Sequence, residues 1–445
     1  MINKVMFLAM LLTVSFSDNY NLEDCIKIGL KQKRSIKSAD YLVESSQQSL
    51  RQSYSNILPS ISLSTNANQT NYPERENISF DLSSTALDTI KTNKNNLMSA
   101  GIALNQIIYN GGQSRLEIEK SKIELEVSKL TGRNIRIRMI LDIVSSFYSL
   151  LQNQKLLEVA EENLKLSNQQ VNLTQKQFNI GLISKTDFLK ATVLKGRAQV
   201  ELLNQKTALN NSRRKLFNDM GVLDFGQTII ATSEEWTPIA VPSSSDALEL
   251  LKTKNPNLQI NQKQILISDI LYKISTRLKR PSISGSLNYS ANGANSQELI
   301  DALKKDWSLS GNISLNMPFY SGNKILSKAK QFSILVARDK NDYISNLNNF
   351  RVEVELLRNL IKNYSDIIPI SKSVVTSAKE DLKLIKKRYS LGSATILEVL
   401  DAQVSLMRSN STLINSIHES RIQESNLKAL LGILDLEYDN ERDEK

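Results

Sequence analysis

Tyr109-Asn110-Gly111 returns as Tyr320-Ser321-Gly322, and this repeated corner decides how the chain folds. The offset in residue number is 320 − 109 = 211, and Phe178-Asn179-Ile180-Gly181 returns as Tyr389-Ser390-Leu391-Gly392 at the same offset. Chance matches would scatter, whereas a constant offset between distant phrases predicts that a whole structural unit was duplicated.

The upstream part of the unit repeats at a longer spacing. Pro59-Ser60-Ile61-Ser62 returns as Pro281-Ser282-Ile283-Ser284, an offset in residue number of 281 − 59 = 222. The difference between the two offsets, 222 − 211 = 11, predicts an insertion of that length in the first copy between Pro59 and Tyr109.

Residues 1–17 have the pattern of an export signal. Lys4 precedes an apolar stretch, and Ser15-Phe16-Ser17 supplies the small residues expected at a cleavage site. The alternative, an N-terminal anchor helix, needs ~20 apolar residues, and this stretch is shorter. After the signal we place the first copy at 18–221, a connecting segment at 222–245, the second copy at 246–432 and a tail at 433–445.

Each copy contains the periodicity of two long helices. From Gln113 to Phe178 there is no proline, and apolar residues recur at alternating steps of four and three, as in a coiled-coil seam. We predict a long antiparallel helical hairpin over 113–220 and a second over 323–431, neither of which buries its apolar stripe alone. The predicted stripe comprises Ile123, Val127, Leu130, Ile137, Leu141, Val144, Tyr148 and Leu151, then, after a slip near Lys155, Leu157, Ala160, Leu164, Val171 and Phe178; on the next helix Leu189, Val193, Val200 and Leu203; and on the copy of that helix Leu400, Val404, Met407, Ile414 and His418.

One residue breaks the likeness of the two long helices. Pro369 stands in the second copy where the first has Glu158. Proline removes a helix hydrogen bond and clashes with the preceding turn, so we predict a kink or local unwinding there.

Four segments alternate apolar and polar residues with a period of two, which predicts strands at about 60–72, 97–106, 282–292 and 307–316. Their polar positions are almost all serine or asparagine, and aromatic residues stand towards the strand ends. Transmembrane barrel strands of ~10 residues have this pattern, with the apolar side facing lipid. A soluble sheet with one wet face is the alternative, and the export signal favours the barrel.

Four strands are too few to close such a barrel, because the smallest spanning barrels have about eight. Open sheet edges are not tolerated in lipid. We therefore predict that several chains pool their strands, as a dimer or as a trimer.

Composition argues against an enzyme and against a nucleic-acid partner. The net charge of +10 is spread along the chain, as on solvated helix faces, and the sequence has no P-loop, nucleophile elbow or Cys/His cluster. We predict no cofactor and no metal. The single cysteine, Cys25, matches Ala247 and is predicted to be a small core residue. The single histidine, His418, matches Thr207 on the apolar stripe and is predicted to be a packing residue.

The signal, the duplicated unit and Ile107-Ile108-Tyr109-Asn110-Gly111-Gly112 at the start of the long helix together resemble the TolC family of outer-membrane channel proteins. The resemblance covers nearly all of residues 20–432. It is most specific in Phe178-x-x-Gly181-Leu182-x-x-x-x-Asp187 and in its copy, Tyr389-x-x-Gly392 with Glu398 and Asp401.

The resemblance implies a mainly α fold with a small β part and an internal tandem duplication. It implies a homotrimer in which four strands per chain build one shared 12-stranded transmembrane β-barrel, and the coiled-coil hairpins build a periplasmic α-helical barrel. Residues 222–245 and the tail are then expected to form an equatorial collar.

The implied function is that of an outer-membrane exit duct of a tripartite efflux pump or a type I secretion system. The implied partners are outer-membrane lipid, a periplasmic adaptor (membrane fusion) protein and an inner-membrane transporter of the RND, ABC or MFS type, with no nucleic acid. From the residues alone, a soluble periplasmic coiled-coil scaffold or adaptor-like protein is the alternative.

The resemblance also assigns roles at the periplasmic entrance. Tyr389 matches the family's gate-latch tyrosine and Asp187 its bonding partner, whereas Ala394 stands where the family has a latch arginine. Either the closed state is then less strongly favoured, or Lys185 or Arg388 compensates. The alternative is that Tyr389 and Asp187 form an ordinary exposed pair.

Glu398 and Asp401 match the acidic gate constriction, which three-fold symmetry turns into rings of carboxylates that favour cations. A solvated acidic turn is the alternative. The hairpin tips, at Gly181, Leu182, Leu391 and Gly392, match the adaptor-docking surface.

Overall fold

A computed structural model of the chain describes residues 19–80, 87–223, 230–231, 236–238 and 240–438. The export signal predicted for residues 1–17 lies outside these ranges. In chain order the elements are β1 (Asn19–Tyr20), α1 (Leu22–Gln32), α2 (Arg34–Ser55), β2 (Ser60–Phe80), β3 (Leu87–Asn110), α3 (Gln113–Asn179), α4 (Lys185–Met220), β4 (Ile230–Ala231), α5 (Ser244–Lys254), α6 (Pro256–Arg277), β5 (Ser282–Gly293), α7 (Ser296–Lys305), β6 (Ser308–Asn316), α8 (Lys324–Ser390), α9 (Ile396–Leu431) and a 3-10 helix (Leu434–Glu437).

The helix boundaries repeat the duplication position by position. α1 and α2 recur as α5 and α6 with the offset of 222 at both ends, and α3 and α4 recur as α8 and α9 with the offset of 211 at both ends. α3 and α8 have 67 residues each, and α4 and α9 have 36 each. The ends are set locally, since Gly221 and Gly432 adopt the left-handed conformation that closes α4 and α9.

The four long strands form one antiparallel sheet in the order β2-β3-β5-β6. Its register places apolar residues opposite apolar residues: Leu63 pairs with Ile102, Ile102 with Tyr289, and Tyr289 with Leu309. On the other face serines and asparagines meet, and Ser284 and Ser314 are hydrogen-bonded at 2.7 Å. The period-two pattern therefore produces one apolar and one polar face, as predicted.

The insertion in the first copy lies between its two predicted strands. Residues 72–96 there correspond to the shorter segment 294–307 of the second copy, and the difference in length between these two segments is the insertion. In the first copy β2 and β3 run on past the predicted ends at 72 and 97 and pair again from Arg75 to Phe80. In the second copy the shorter segment forms α7, capped by Asn295, which accepts a bond from the Glu298 N–H at 3.0 Å. Neither feature was predicted from the sequence.

Of the two possibilities predicted at Pro369, local unwinding is wrong, because α8 continues through that residue as one helix, and a kink stays a prediction. A proline at this position has no N–H to donate to the Ser365 carbonyl. Ile361 and Ile368 are 2% and 0% exposed on the preceding turns, so packing holds the helix where the proline weakens it.

The described residues fall into two compact units that cut across the two repeats. One unit contains residues up to 41, 130–260 and 343 onward, and the other contains residues 42–129 and 261–342. The second unit holds the sheet. No described helix is both long and apolar enough to cross a membrane.

The first unit contains two apolar cores at equivalent places in the two copies. One surrounds Cys25 and the other Ala247, and both residues are 0% exposed. Burial raises the pKa of the Cys25 thiol to about 12. The prediction that Cys25 is a small core residue is confirmed.

Arg133, on α3, connects the ends of several helices within this unit. Its guanidinium donates to both carboxylate oxygens of Asp435, at 2.8 and 3.0 Å, and to the carbonyls of Gly432 and Lys254, at 2.7 and 3.2 Å. Asp435 is 4% exposed. One side chain thus binds α3 to the ends of α5 and α9 and to the 3-10 helix.

Candidate functional site

The two hairpin tips are built on the same local plan. Gly181 and Gly392 have positive φ, +76° and +74°, where a β-carbon would strain the turn. Each following helix has a hydroxyl N-cap that accepts a bond from the N–H three residues on: Ser184 from Asp187 at 3.2 Å, and Thr395 from Glu398 at 3.3 Å. The tips are therefore fixed by cap and glycine together.

Because of the duplication, Asp187 and Glu398 occupy equivalent places, and both are engaged in their own caps. The Ser184 hydroxyl donates to Asp187 Oδ2 at 2.8 Å. The Thr395 N–H donates to Glu398 Oε1 at 2.9 Å, completing a capping box. Hydrogen bonds from Thr395, and the charge of Arg388, lower the pKa of the Glu398 carboxyl.

Tyr389 reaches from the second hairpin to the first. Its hydroxyl donates to Gln177 Oε1 at 2.7 Å, and not to the predicted partner Asp187. Burial, followed by the nearby charge of Asp187, raises the pKa of the Tyr389 phenol. The phenol of Tyr389 thus has a different acceptor here from the predicted Asp187, since Ser184 holds that carboxylate and the amide oxygen of Gln177 accepts the bond.

Arg388 is one of the two residues predicted to compensate for the latch arginine that is absent at Ala394. Its side chain contacts residues of its own hairpin. It donates to the Ser393 carbonyl at 2.9 Å, and its guanidinium lies 3.9 Å from Glu398 Oε2. It therefore braces the turn of the second tip.

Asp401 lies one turn after Glu398 on α9 and is exposed. It lines an open groove of about 430 Å³ with residues of α8 and α9, among them Ser371, Ser405 and Arg408. Glu398 and Asp401 thus present two carboxylates along one short stretch of helix, the first bound in the cap and the second facing the groove. Among the described residues no three His, Cys, Asp or Glu side chains are grouped to hold a metal ion.

Most of the stripe predicted near the tips does not face the inside of the chain, although two of its members, Ala160 on α3 and Leu400 on α9, are buried as predicted. In the tip half of α3 the buried residues are Ala160, Asn163, Ser167, Gln170 and Thr174, and Leu164 and Val171 are only half-buried. On α4 the predicted stripe Leu189, Val193, Val200 and Leu203 is 49–63% exposed, while Ala191 and Ala198 are buried. Counting apolar residues alone missed this polar seam, although its steps of four, three and four could have indicated it.

A cavity of about 490 Å³ lies in the first unit and includes His418, Tyr148, Trp236 and Tyr438 in its wall. His418 is 6% exposed, and burial lowers its pKa to about 4, so it is neutral at ordinary pH. Its ring lies 6.4 Å from that of Tyr148, which agrees with the predicted packing role.

The chain matches known proteins over most of its length. The family model described as outer membrane efflux protein matches residues 26–222 and 248–433. Outer membrane protein TolC of Escherichia coli K12 is 24% identical over 361 residues, which are 76% of this chain and 70% of that protein. Outer membrane protein TolC of Vibrio cholerae is 21% identical over 346 residues, 77% of this chain and 78% of that protein. The crystal structure of the outer membrane protein VceC from Vibrio cholerae shares the fold with a TM-score of 0.77 at 17% identity, covering 92% of this chain and 96% of that one.

Proposed function

This chain belongs to the outer membrane efflux protein family, and from that premise we propose that it is the exit duct of a tripartite efflux pump or a type I secretion system. It conducts small molecules or proteins passively to the outside, and its helical end is gated. The observation that carries the proposal is a sheet with one apolar face and one serine and asparagine face, followed in each copy by an equally long helical hairpin.

The sheet supports a lipid-facing barrel made by several copies. Ile61, Leu63, Leu309 and Ile313 lie on its apolar face and are 62–76% exposed in the single chain. Burying each such side chain away from water would contribute about 1.5–3 kcal/mol of stabilising free energy. β2 and β6 are the outer edges of the sheet, so a closed barrel needs neighbours at both edges, and three copies supply twelve strands.

The helices support the same conclusion. In addition to the exposed apolar stripe of α4, the same unit has a second one on α8, formed by Val352, Leu356, Ile367 and Ile370. Both stripes recur at helical spacings, the pattern that packs against another helix. Further copies of this chain are the occupant we propose, giving a homotrimer.

The hairpin tips are proposed to meet a periplasmic adaptor, which in turn binds an inner-membrane transporter of the RND, ABC or MFS type. Leu182 and Leu391, beside the tip glycines Gly181 and Gly392, are 69% and 74% exposed. Two apolar side chains held out on rigid turns form a docking feature that a partner's groove can bury.

The latch of the resting gate is proposed to be the bond between Tyr389 and Gln177. Tyr389→Phe should raise the resting open fraction about five-fold, the factor for one net hydrogen bond of about 1 kcal/mol. Gln177→Leu should have a similar effect, and the double variant should not be additive, because both remove one bond. Single-channel recording measures each value.

Two outcomes separate this latch from alternatives. Tyr364→Phe makes the same change on α8 away from the tip, and should leave the open fraction unchanged. If Asp187→Ala acts with Tyr389→Phe as a coupled pair while Gln177→Leu has no effect, the latch partner is Asp187 after all.

The constriction is proposed to be formed by Glu398 and Asp401. Asp401→Asn should reduce cation selectivity and block by trivalent cations more than Glu398→Gln does, because Glu398 is already hydrogen-bonded to Thr395 and lies 3.9 Å from the Arg388 guanidinium. Reversal potentials in a KCl gradient measure the difference, with Asp381→Asn on α8 as the control. If all variants have the same cation selectivity, neither Glu398 nor Asp401 lines the constriction.

The proposed function is tested by extracting the full chain from membranes with detergent and adding it to planar bilayers. Discrete conductance steps in KCl are expected. A protein that is soluble without detergent and conducts nothing would instead be a periplasmic scaffold.

A further inference from the structure

The seam of α3 changes chemistry along its length within the first unit. Towards the middle of the helix the buried residues are large and apolar, with Ile140, Ile143, Phe147 and Leu150 at 0–2% exposure. Towards the tip they are the polar and small residues described above. Since apolar area supplies most of the free energy of packing, the tip half depends more on its hydrogen bonds.

One buried side chain of α9 makes three hydrogen bonds to this half of α3. Gln403 is 2% exposed, and the two hydrogens of its Nε2 are shared among three acceptors: Asn163 Oδ1 at 2.9 Å, Ser167 Oγ at 2.9 Å and the Asn163 carbonyl at 3.2 Å. Asn163 Nδ2 in turn lies 3.2 Å from Met407 Sδ. We call Asn163, Ser167 and Gln403 the polar clasp.

The clasp lies next to the proposed constriction. Gln403 follows Asp401 by two positions and Glu398 by five on the same helix, so any slide of α9 along α3 would move both carboxylates. An apolar seam tolerates such a slide, because dispersion contacts are not directional. A buried amide with several fixed acceptors is satisfied in one register only, as with polar residues that set register in coiled coils.

From this geometry we infer that Gln403 is a positioning residue for the gate. The polar clasp fixes the axial register of α9 on α3. It thereby fixes the position of Glu398 and Asp401 along the axis of α3. The inference rests on the proposed function, since it concerns the gate of that duct.

The test compares variants of the full-length, membrane-extracted protein in planar bilayers with KCl. Gln403→Met removes the donor at similar volume and strands the acceptors of Asn163 and Ser167. We expect a lower melting temperature and a resting open fraction raised about five-fold, the factor for one net hydrogen bond. Combining Gln403→Met with Asn163→Leu and Ser167→Ala removes the stranded groups, so the melting temperature should return to the parental value or above it while the open fraction stays raised.

The matched control is Ser420→Ala, which alters a buried hydroxyl (0% exposed) on the same helix, bonded to Glu424 rather than to α3. It should lower stability without changing the open fraction. If the triple variant regains the parental open fraction together with its stability, or if Gln403→Met conducts like the parent, Gln403 is merely structural and the inference is overturned. A parental protein without conductance would overturn the proposed function itself, and the inference with it.

Discussion

Ile313→Arg should abolish stable assembly of the protein in a membrane. Ile313 lies in the middle of β6, on the apolar face of the sheet, and is 76% exposed in the single chain. An arginine on the lipid face of a barrel costs about 2–4 kcal/mol near the bilayer midplane, and symmetry repeats that cost in every copy. The amount of detergent-extractable oligomer in the membrane fraction measures the effect.

The neighbouring residue provides a matched control. Ser314 lies on the polar face, where its hydroxyl meets that of Ser284. Ser314→Arg should be tolerated, because it points to the water-filled side of the proposed barrel. If both arginine variants assemble equally well, or if only Ser314→Arg fails, the assignment of the two faces is wrong.

Arg133→Met should cause the largest loss of stability in the first unit. The substitution leaves the Asp435 carboxylate, 4% exposed, without its partner and removes the donor to the Gly432 and Lys254 carbonyls. Stranding one member of a buried ion pair costs about 3 kcal/mol or more. Thermal unfolding followed by helical circular dichroism should show a melting temperature lower by about 5 °C or more.

The source of this loss is tested by a second substitution. Arg133→Met combined with Asp435→Leu should recover much of the stability, because an apolar pair of similar volume replaces the stranded charge. Lys129→Met, an exposed position on the same helix, should change the free energy of unfolding by less than about 0.5 kcal/mol. A double variant as unstable as Arg133→Met alone would contradict the account of the stranded carboxylate.

The duplication and the helical hairpins could be predicted because each rests on a regularity that extends along much of the chain. The offset of 211 relates α3 to α8 and α4 to α9, and tertiary packing does not alter an offset. The insertion behaved differently. The same place in the fold holds a pairing of strands in the first copy and α7 in the second, and the choice depends on local capping by Asn295 and on packing against β5 rather than on periodicity.

At the hairpin tips, the positions of the key residues could be predicted from the sequence, but their hydrogen-bond partners could not. The phrases around Tyr389 and Asp187 located both residues at the hairpin ends, but a hydrogen bond depends on the phase of each helix. The Ser184 cap holds Asp187, and Gln177 on α3 receives the phenol. The polar clasp was missed for a related reason, since a search for apolar stripes passes over Asn163 and Ser167 even when their spacing is that of a seam.

The most direct test of the central claim is cysteine cross-linking between the two edges of the sheet. Cys25, the only native cysteine, is buried and its thiol pKa is raised to about 12, so it stays protonated and inert. Ser62→Cys on β2 is paired in turn with a cysteine at Ser308, Ser310, Asn312 or Ser314 on β6, all on the polar face, and oxidised in membranes. At least one of these pairs should give a covalent trimer on a denaturing gel, whereas Ser62→Cys with Leu309→Cys, on opposite faces, should not. Chains that stay monomeric in every pair would contradict a shared barrel.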